Sequence, residues 1–249
     1  MDTIECTKSA VTVADGLERA RYFPGQLITA GDLTQEQVYY RERRRTHNRL
    51  LHGWGIVCGL EVKKNPLAGA PLNVTVCPGY ALSPQGDEIY VPTDVQFDLA
   101  QCTQGRGAPC RSPCSPVVLG SVGPDAKELY VAVRYAECKS HPVRVPPLGC
   151  GCDESACEYS RIRDSFDVTC LGALPASYSP ANNPPPGDFC DLLTKSKVIP
   201  CPPSLDDAWI VLAKVKLDGA NGISGILPDD RRLVVSVTAL QQHLTQECA

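Results

Sequence analysis

Residues 33–51 are the one stretch of this chain that reads as a long helix, and it runs directly into Gly53-Trp54-Gly55 and a short β pattern at 56–62. Asp32 is placed as the N-cap, with Gln35 three positions on to return a hydrogen bond to the cap amide. From there to Gly53 there is no Gly or Pro, and Gln35, Glu36, Gln37, Arg41, Glu42, Arg43, Arg44 and Arg45 all favour helix. Gly53 supplies the stop. The face drawn at helical spacing through Leu33, Gln37, Tyr40, Arg44, His47 and Leu51 is too polar for a buried core position. Such an amphipathic helix needs a partner that offers charge as well as apolar surface.

The rest reads as β structure. The 22 prolines and 20 glycines interrupt the chain too often for a helical bundle, while 43% hydrophobic residues suffice for one large or two small cores. Strands are expected at 73–77, 79–82, 88–91, 95–99, 117–119, 128–136, 162–170, 209–217 and 232–237, with Pro84-Gln85-Gly86-Asp87 turning a hairpin. In 128–136, Leu129, Val131, Val133 and Tyr135 alternate with Tyr130, Ala132 and Arg134, the pattern of a half-buried antiparallel strand. Residues 101–116 and 174–205 read as loops, the second a long surface excursion suited to contact, and a short helix is expected over 238–247.

The fold class expected is therefore α+β, mainly β: one N-terminal amphipathic helix, then an antiparallel β-sandwich or barrel-like body with long Pro/Gly/Cys-rich loops. Its expected divisions are 1–62 (docking arm, helix and GWG turn), 63–100 (small β-module) and 101–249 (β-rich body). No run has the length of a membrane-spanning helix, and residues 1–5 lack the charge and apolar core of a secretory signal, so folding in the cytoplasm is expected.

Arg41, Arg43, Arg44, Arg45 and Arg49 have the chemistry to track phosphates, but the net charge of -4 and the lack of a basic stripe argue against nucleic acid. Glu42 can lace some of them on a solvated helix. Arg and Tyr are enriched at protein contacts, and a docking face is the preferred reading. Its anchors are Tyr22, Phe23, Tyr40 and Trp54, oriented by Arg41, Arg44 and Arg45.

Fourteen cysteines need a separate account. Cys58, Cys77 and Cys170 fall in or beside strands and are expected in the core. Cys138, Cys150, Cys152 and Cys157, with His141 as an alternative ligand, put soft donors on one Pro/Gly loop, where a structural zinc would hold the loop's shape. Disulfides compete with that reading, because Cys102, Cys110, Cys114, Cys190 and Cys201 also sit in loops. Redox compartment decides between them.

Catalysis finds little support. His47, His52, His141 and His243 are scattered, and no HExxH, GxSxG, P-loop or GxGxxG pattern occurs. The Asp206-Asp207 and Asp229-Asp230 pairs suit turns and caps. No catalytic or cofactor-binding residue is assigned, and the Asn73-Val74-Thr75 sequon is taken as incidental.

Phe23-Pro24-Gly25-Gln26-Leu27, Asp32-Leu33, Gln37, Tyr40, Gly53-Trp54-Gly55-Ile56-Val57 and Gly59-Leu60-Glu61-Val62 resemble the N-terminal module of proteins encoded with contractile, phage-tail-like injection systems. Related openings occur in phage baseplate and tail-appendage proteins. The resemblance continues in Pro78-Gly79-Tyr80-Ala81-Leu82, Gly86-Asp87-Glu88-Ile89, Leu129-Tyr130-Val131-Ala132-Val133, Ser160-Arg161-Ile162-Arg163-Asp164 and Trp209-Ile210-Val211-Leu212-Ala213. It implies a non-enzymatic structural component at or around the baseplate. The partners implied are other copies of itself, as a ring or trimer, and baseplate or sheath-proximal subunits, with no nucleic acid and no membrane insertion. The alternative is a tail-appendage module whose 174–205 loop binds a carbohydrate or cell-surface ligand.

Overall fold

The computed structural model describes residues 16–65, 70–103, 114–117, 120, 122–123, 126–144, 157–180, 182, 201, 205, 207–218 and 222–235. The chain forms two compact units, Met1–Arg45 and Thr46–Ala249.

In the first unit, helix α1 (Ala30–His47) starts three residues before the Leu33 expected from the sequence. Thr29 is the cap. Its amide and hydroxyl donate to the Asp32 carboxylate at 2.8 and 2.7 Å, and the Asp32 amide donates back to the Thr29 hydroxyl at 3.2 Å. This is a reciprocal capping box with Asp32 at the third helical position rather than at the boundary. The helix is amphipathic in neither packing nor pattern, since none of its residues is buried and Val38 lies roughly 140° around the axis from Leu33. In the second unit a π-helical turn (Asn48–His52) follows, and Gly53, at φ 75°, ends it where the sequence places the stop.

Six strands build the first part of the second unit: β1 (Gly55–Gly59), β2 (Val62–Lys64), β3 (Asn73–Val76), β4 (Gly79–Leu82), β5 (Glu88–Val91) and β6 (Val95–Asp98). β1 with β2, and β3 with β4, are two bent runs that pair antiparallel on both sides of a corner. At the corner the Leu60 amide donates to the Pro78 carbonyl at 3.1 Å and the Cys77 amide to Glu61 at 2.8 Å. Leu60 itself takes φ 54° and buries its side chain completely. β5 adds to β4 and β6 to β3, so one folded hairpin supplies two three-stranded sheets, β1-β4-β5 and β2-β3-β6.

A short helix, α2 (Ala100–Thr103), leads on to a four-stranded antiparallel sheet of order β10-β9-β7-β8. Its strands are β7 (Glu128–Arg144), β8 (Cys157–Leu171), β9 (Ile210–Asp218) and β10 (Gly222–Leu227). Leu129, Val131, Val133, Val168 and Leu212 join Ile56, Val74, Val76, Ile89 and Val91 in one buried cluster.

The expectation of one N-terminal helix followed by mainly antiparallel β structure holds, and β3 to β6 fall within a residue of their expected positions. β7 and β8 run well beyond the expected 128–136 and 162–170. Past Tyr135 both strands are polar on each face, so pairing continues there without an apolar alternation to announce it. Residues 232–235 contribute an isolated bridge, Ile56 to Leu233, rather than the start of a strand. The helix expected over 238–247 and most of 101–116 and 174–205 lie outside the described residues.

Candidate docking surface

The arm before α1 is shaped by a reverse turn. The Gln26 amide donates to the Phe23 carbonyl at 3.2 Å, and the Gln26 side chain accepts from the Phe23 amide at 3.2 Å. Gly25, at φ 82°, occupies the turn position that a side chain resists, after the Pro24 that favours such turns. The Tyr22 hydroxyl donates to the Glu36 carboxylate, tying arm to helix, and that bond raises the phenol above its ordinary pKa. Large apolar side chains are left facing outward: Leu27 is 85% and Phe23 60% exposed, and Ile28, Leu33, Val38 and Tyr40 are exposed with them. Grouped apolar exposure of this kind marks a contact surface.

Of the anchors read from sequence, Tyr22, Phe23, Tyr40, Arg41 and Arg44 are exposed and Arg45 is half-buried. Arg43 donates to the Tyr39 hydroxyl at 3.2 Å, and the Tyr39 and Tyr40 rings meet edge-on at 5.3 Å. Glu42 holds Arg45 at 2.7 Å and Arg41 at 3.9 Å, pairs worth little in water. Leu27, Ile28 and Leu33 are exposed as well but were not among the anchors read from sequence, although the apolar run after Phe23-Pro24-Gly25-Gln26 carried the signal.

Trp54 is a correction. It was expected as an exposed anchor, yet it is buried. The Tyr178 ring meets it edge-on at 5.1 Å, and the Arg232 guanidinium lies 4.2 Å over its face. Gly55 explains the motif, since a Cβ there would come within 2.6 Å of the Arg232 carbonyl, which accepts from the Ile56 amide at 2.7 Å. Of the two glycines around Trp54, Gly55 serves close backbone approach, while Gly53 supplies the positive φ that ends the helix. Next door, Arg231 donates to the carbonyls of Leu60, Leu212 and Gly59 at 2.7, 3.0 and 2.8 Å, clamping β9 to the hairpin corner. Burial lowers both guanidinium pKa values.

The cysteines depart from expectation in several places. Cys58 is exposed beside a β-bulge and Cys77 is half-buried, so neither fills the core. Cys170 is buried as expected, but bonded to Cys102. Cys138 is bonded to Cys114, and with His141 it lies on β7 rather than in a loop. Cys157 opens β8 opposite Arg144, while Cys150 and Cys152 lie outside the described residues. No cluster of three or more metal-ligating side chains occurs among the described residues.

Other polar groups take structural roles. His47 and His52 meet edge-on at 5.5 Å. Asp207 accepts from the amides of Ala176 and Trp209 at 3.0 and 3.1 Å. Asn73 is buried and donates to the Asn65 carbonyl at 3.1 Å, which leaves its amide no access for a glycan. No helix among the described residues is long and apolar enough to cross a membrane.

No family model matches the sequence, and no curated protein matches it. Among solved structures, the chain is similar to a crystal structure of TssK, at 13% identity and a TM-score of 0.38, over 84% of this chain and 40% of that one. It is also similar to a chain of the TssK-TssF-TssG baseplate subcomplex of the type VI secretion system, determined by cryo-electron microscopy. There the identity is 10% and the TM-score 0.43, over 93% of this chain and 68% of that one. The chain thus spans 40% of the length of the first of these.

Proposed function

We propose that this chain is a non-enzymatic structural component of a contractile, phage-tail-like injection particle, held at or around the baseplate by its N-terminal arm and helix. The observation that carries the reading is the exposure of Phe23, Leu27, Ile28, Leu33 and Tyr40 around a helix that buries none of its own residues. Isolated helices are marginal in water, and most helical stability in proteins comes from packing an apolar face against a partner. The sequence resemblance of this same segment to injection-system modules supplies the class of partner: baseplate or sheath-proximal subunits and further copies of the chain.

Mechanistically, Phe23 and Leu27 are the anchors and the turn at Pro24-Gly25 presents them. Arg41, Arg43 and Arg44 lie along the helix and orient the partner through charge. The test is co-fractionation of the chain with sheath and tube proteins from cells that make the particle. A Phe23→Ser/Leu27→Ser variant should melt like the parent and drop out of the particle fraction. Stoichiometric incorporation of that variant would remove the arm from the mechanism.

A further inference from the structure

The four-stranded sheet supports β7 and β8 along only part of their length. β9 pairs with β7 from Glu128 to Val133, whereas β7 and β8 keep one register from Tyr130 opposite Leu171 to Arg144 opposite Cys157. Residues 134–144 and 157–167 therefore make a two-stranded ribbon about 35 Å long, with no third strand among the described residues. A lone two-stranded ribbon is marginal in water. The base of this one is covered, with Cys138 buried and bonded to Cys114, and the exposed part beyond it needs cover.

Alternation sorts its side chains by charge. Cys138 and Arg163, Ser140 and Arg161, Pro142 and Tyr159, and then Arg144 share one face, which beyond the Arg134–Asp167 ion pair at its base carries three cations and no carboxylate. Glu137 and Asp164, Lys139 and Ile162, and then Glu158 share the other, with three carboxylates and one ammonium. Arg144, Arg161 and Arg163 are exposed, and none of them makes an ion pair with a described residue. Each face also has exposed apolar surface amid its charges, Tyr159 at 45% on the first and Ile162 at 60% with Val143 at 44% on the second.

We infer that the ribbon is a self-association arm, the arginine face of one copy lying on the carboxylate face of the next. The two faces differ, so the contact is heterologous and runs head to tail, closing into a ring where the rotation allows. Its size limits its strength. The part of each face from Cys138 to Arg144, about 23 Å long and ~10 Å wide, covers roughly 230 Å² per partner, under a third of the ~800 Å² of a standard interface. A single contact is weak and salt-sensitive, and closure or seating in a larger assembly secures it. The mixed charge of the ribbon and the chain's net charge of -4 favour a second copy over a polyanion.

Sedimentation velocity on the full chain, over a concentration series, tests this independently of the docking role given to the N-terminal arm. The wild type should associate as concentration rises. Raising salt from about 0.1 M to about 1 M, which shortens the screening length from about 10 Å to about 3 Å, should reverse the association without any substitution. Arg161→Glu/Arg163→Glu, folded by circular dichroism, should associate at least ~10-fold more weakly. Adding Glu137→Arg/Glu158→Arg to that chain should restore association by reversing both faces. A wild type that stays monomeric throughout overturns the inference, as does a monomer that instead binds single-stranded DNA. So does association that survives the arginine reversal but is lost in Phe23→Ser/Leu27→Ser, because that places the contact on the N-terminal arm.

Discussion

Arg232 lays its guanidinium 4.2 Å over the indole of Trp54 while its Nε donates to the Trp54 carbonyl at 3.0 Å, so one side chain holds both the ring and the backbone of the same residue. Truncating a buried tryptophan of this kind costs about 3–5 kcal/mol. Trp54→Ala should therefore fail to fold or lose that much in urea titration, with Arg232→Ala costing about 1–2 kcal/mol through the lost stacking and hydrogen bond. A Trp54→Ala chain within about 1 kcal/mol of the parent would show that the ring contributes little to the core.

Tyr178 completes the other side of that ring and accepts the Val211 amide at 2.8 Å. Burial pushes its phenol up to about 12. A raised phenol pKa favours the neutral form in the folded chain, so this stability is complete below pH 10 and drains away between 10 and about 12. Tyr22 and Tyr135 are raised as well, so absorbance titration should find one late-ionising tyrosine fewer in Tyr178→Phe than in the parent, and that variant should lose about 1–3 kcal/mol for the stranded amide. Ordinary ionisation of every tyrosine would contradict the burial.

The capping box predicts acid sensitivity at the start of α1. Hydrogen bonds from the Thr29 hydroxyl and amide hold the Asp32 carboxyl below its ordinary 3.8. A depressed carboxylate stabilises above its unfolded pKa and loses that contribution as pH falls through the lower folded value, hence below about 4. Amide exchange near residues 30–33 should accelerate in that range. Thr29→Ala should shrink the acid step, since the residue 29 amide still donates to Asp32, and weaken the helix start by about 1 kcal/mol at neutral pH. An unchanged exchange pattern in Thr29→Ala would count against the box.

Cys138 can serve a zinc site with Cys150, Cys152 and Cys157, or a disulfide with Cys114, but not both at once. Alkylation and mass spectrometry without reductant should find Cys102–Cys170 and Cys114–Cys138 protected. The first closes a separation of 68 residues, so its reduction should cost on the order of 4 kcal/mol on a chain-entropy estimate. Under reducing conditions the proposed zinc site predicts about one metal ion per chain, lost in Cys150→Ser/Cys152→Ser. Fully alkylated cysteines without reductant would exclude both staples.

Local pattern revealed those elements whose signals are local. Alternation and the Pro84-Gln85-Gly86-Asp87 turn place β4 and β5, and Gly53 marks the end of the helix. At the helix start two capping residues stood three positions apart, and only their mutual hydrogen bonds show that Thr29 is the boundary. Trp54 was misread because both it and Gly55 answer to Arg232, which lies 178 positions from Trp54 in the chain. The far halves of β7 and β8 carry no apolar face and are defined by each other alone. On the N-terminal arm Leu27 and Ile28 resembled ordinary core residues until their exposure was known.

The folded hairpin imposes a rule on how this chain can change. Beyond the bulge between Ile56 and Cys58, β1 with β2 and β3 with β4 are single runs that serve two sheets in one register. An extra residue in either run beyond that bulge would keep the register of one sheet only by turning inward-facing side chains outward in the other. The module can drift by substitution, but its length is fixed except at the connection from β2 to β3, where an insertion leaves both registers intact.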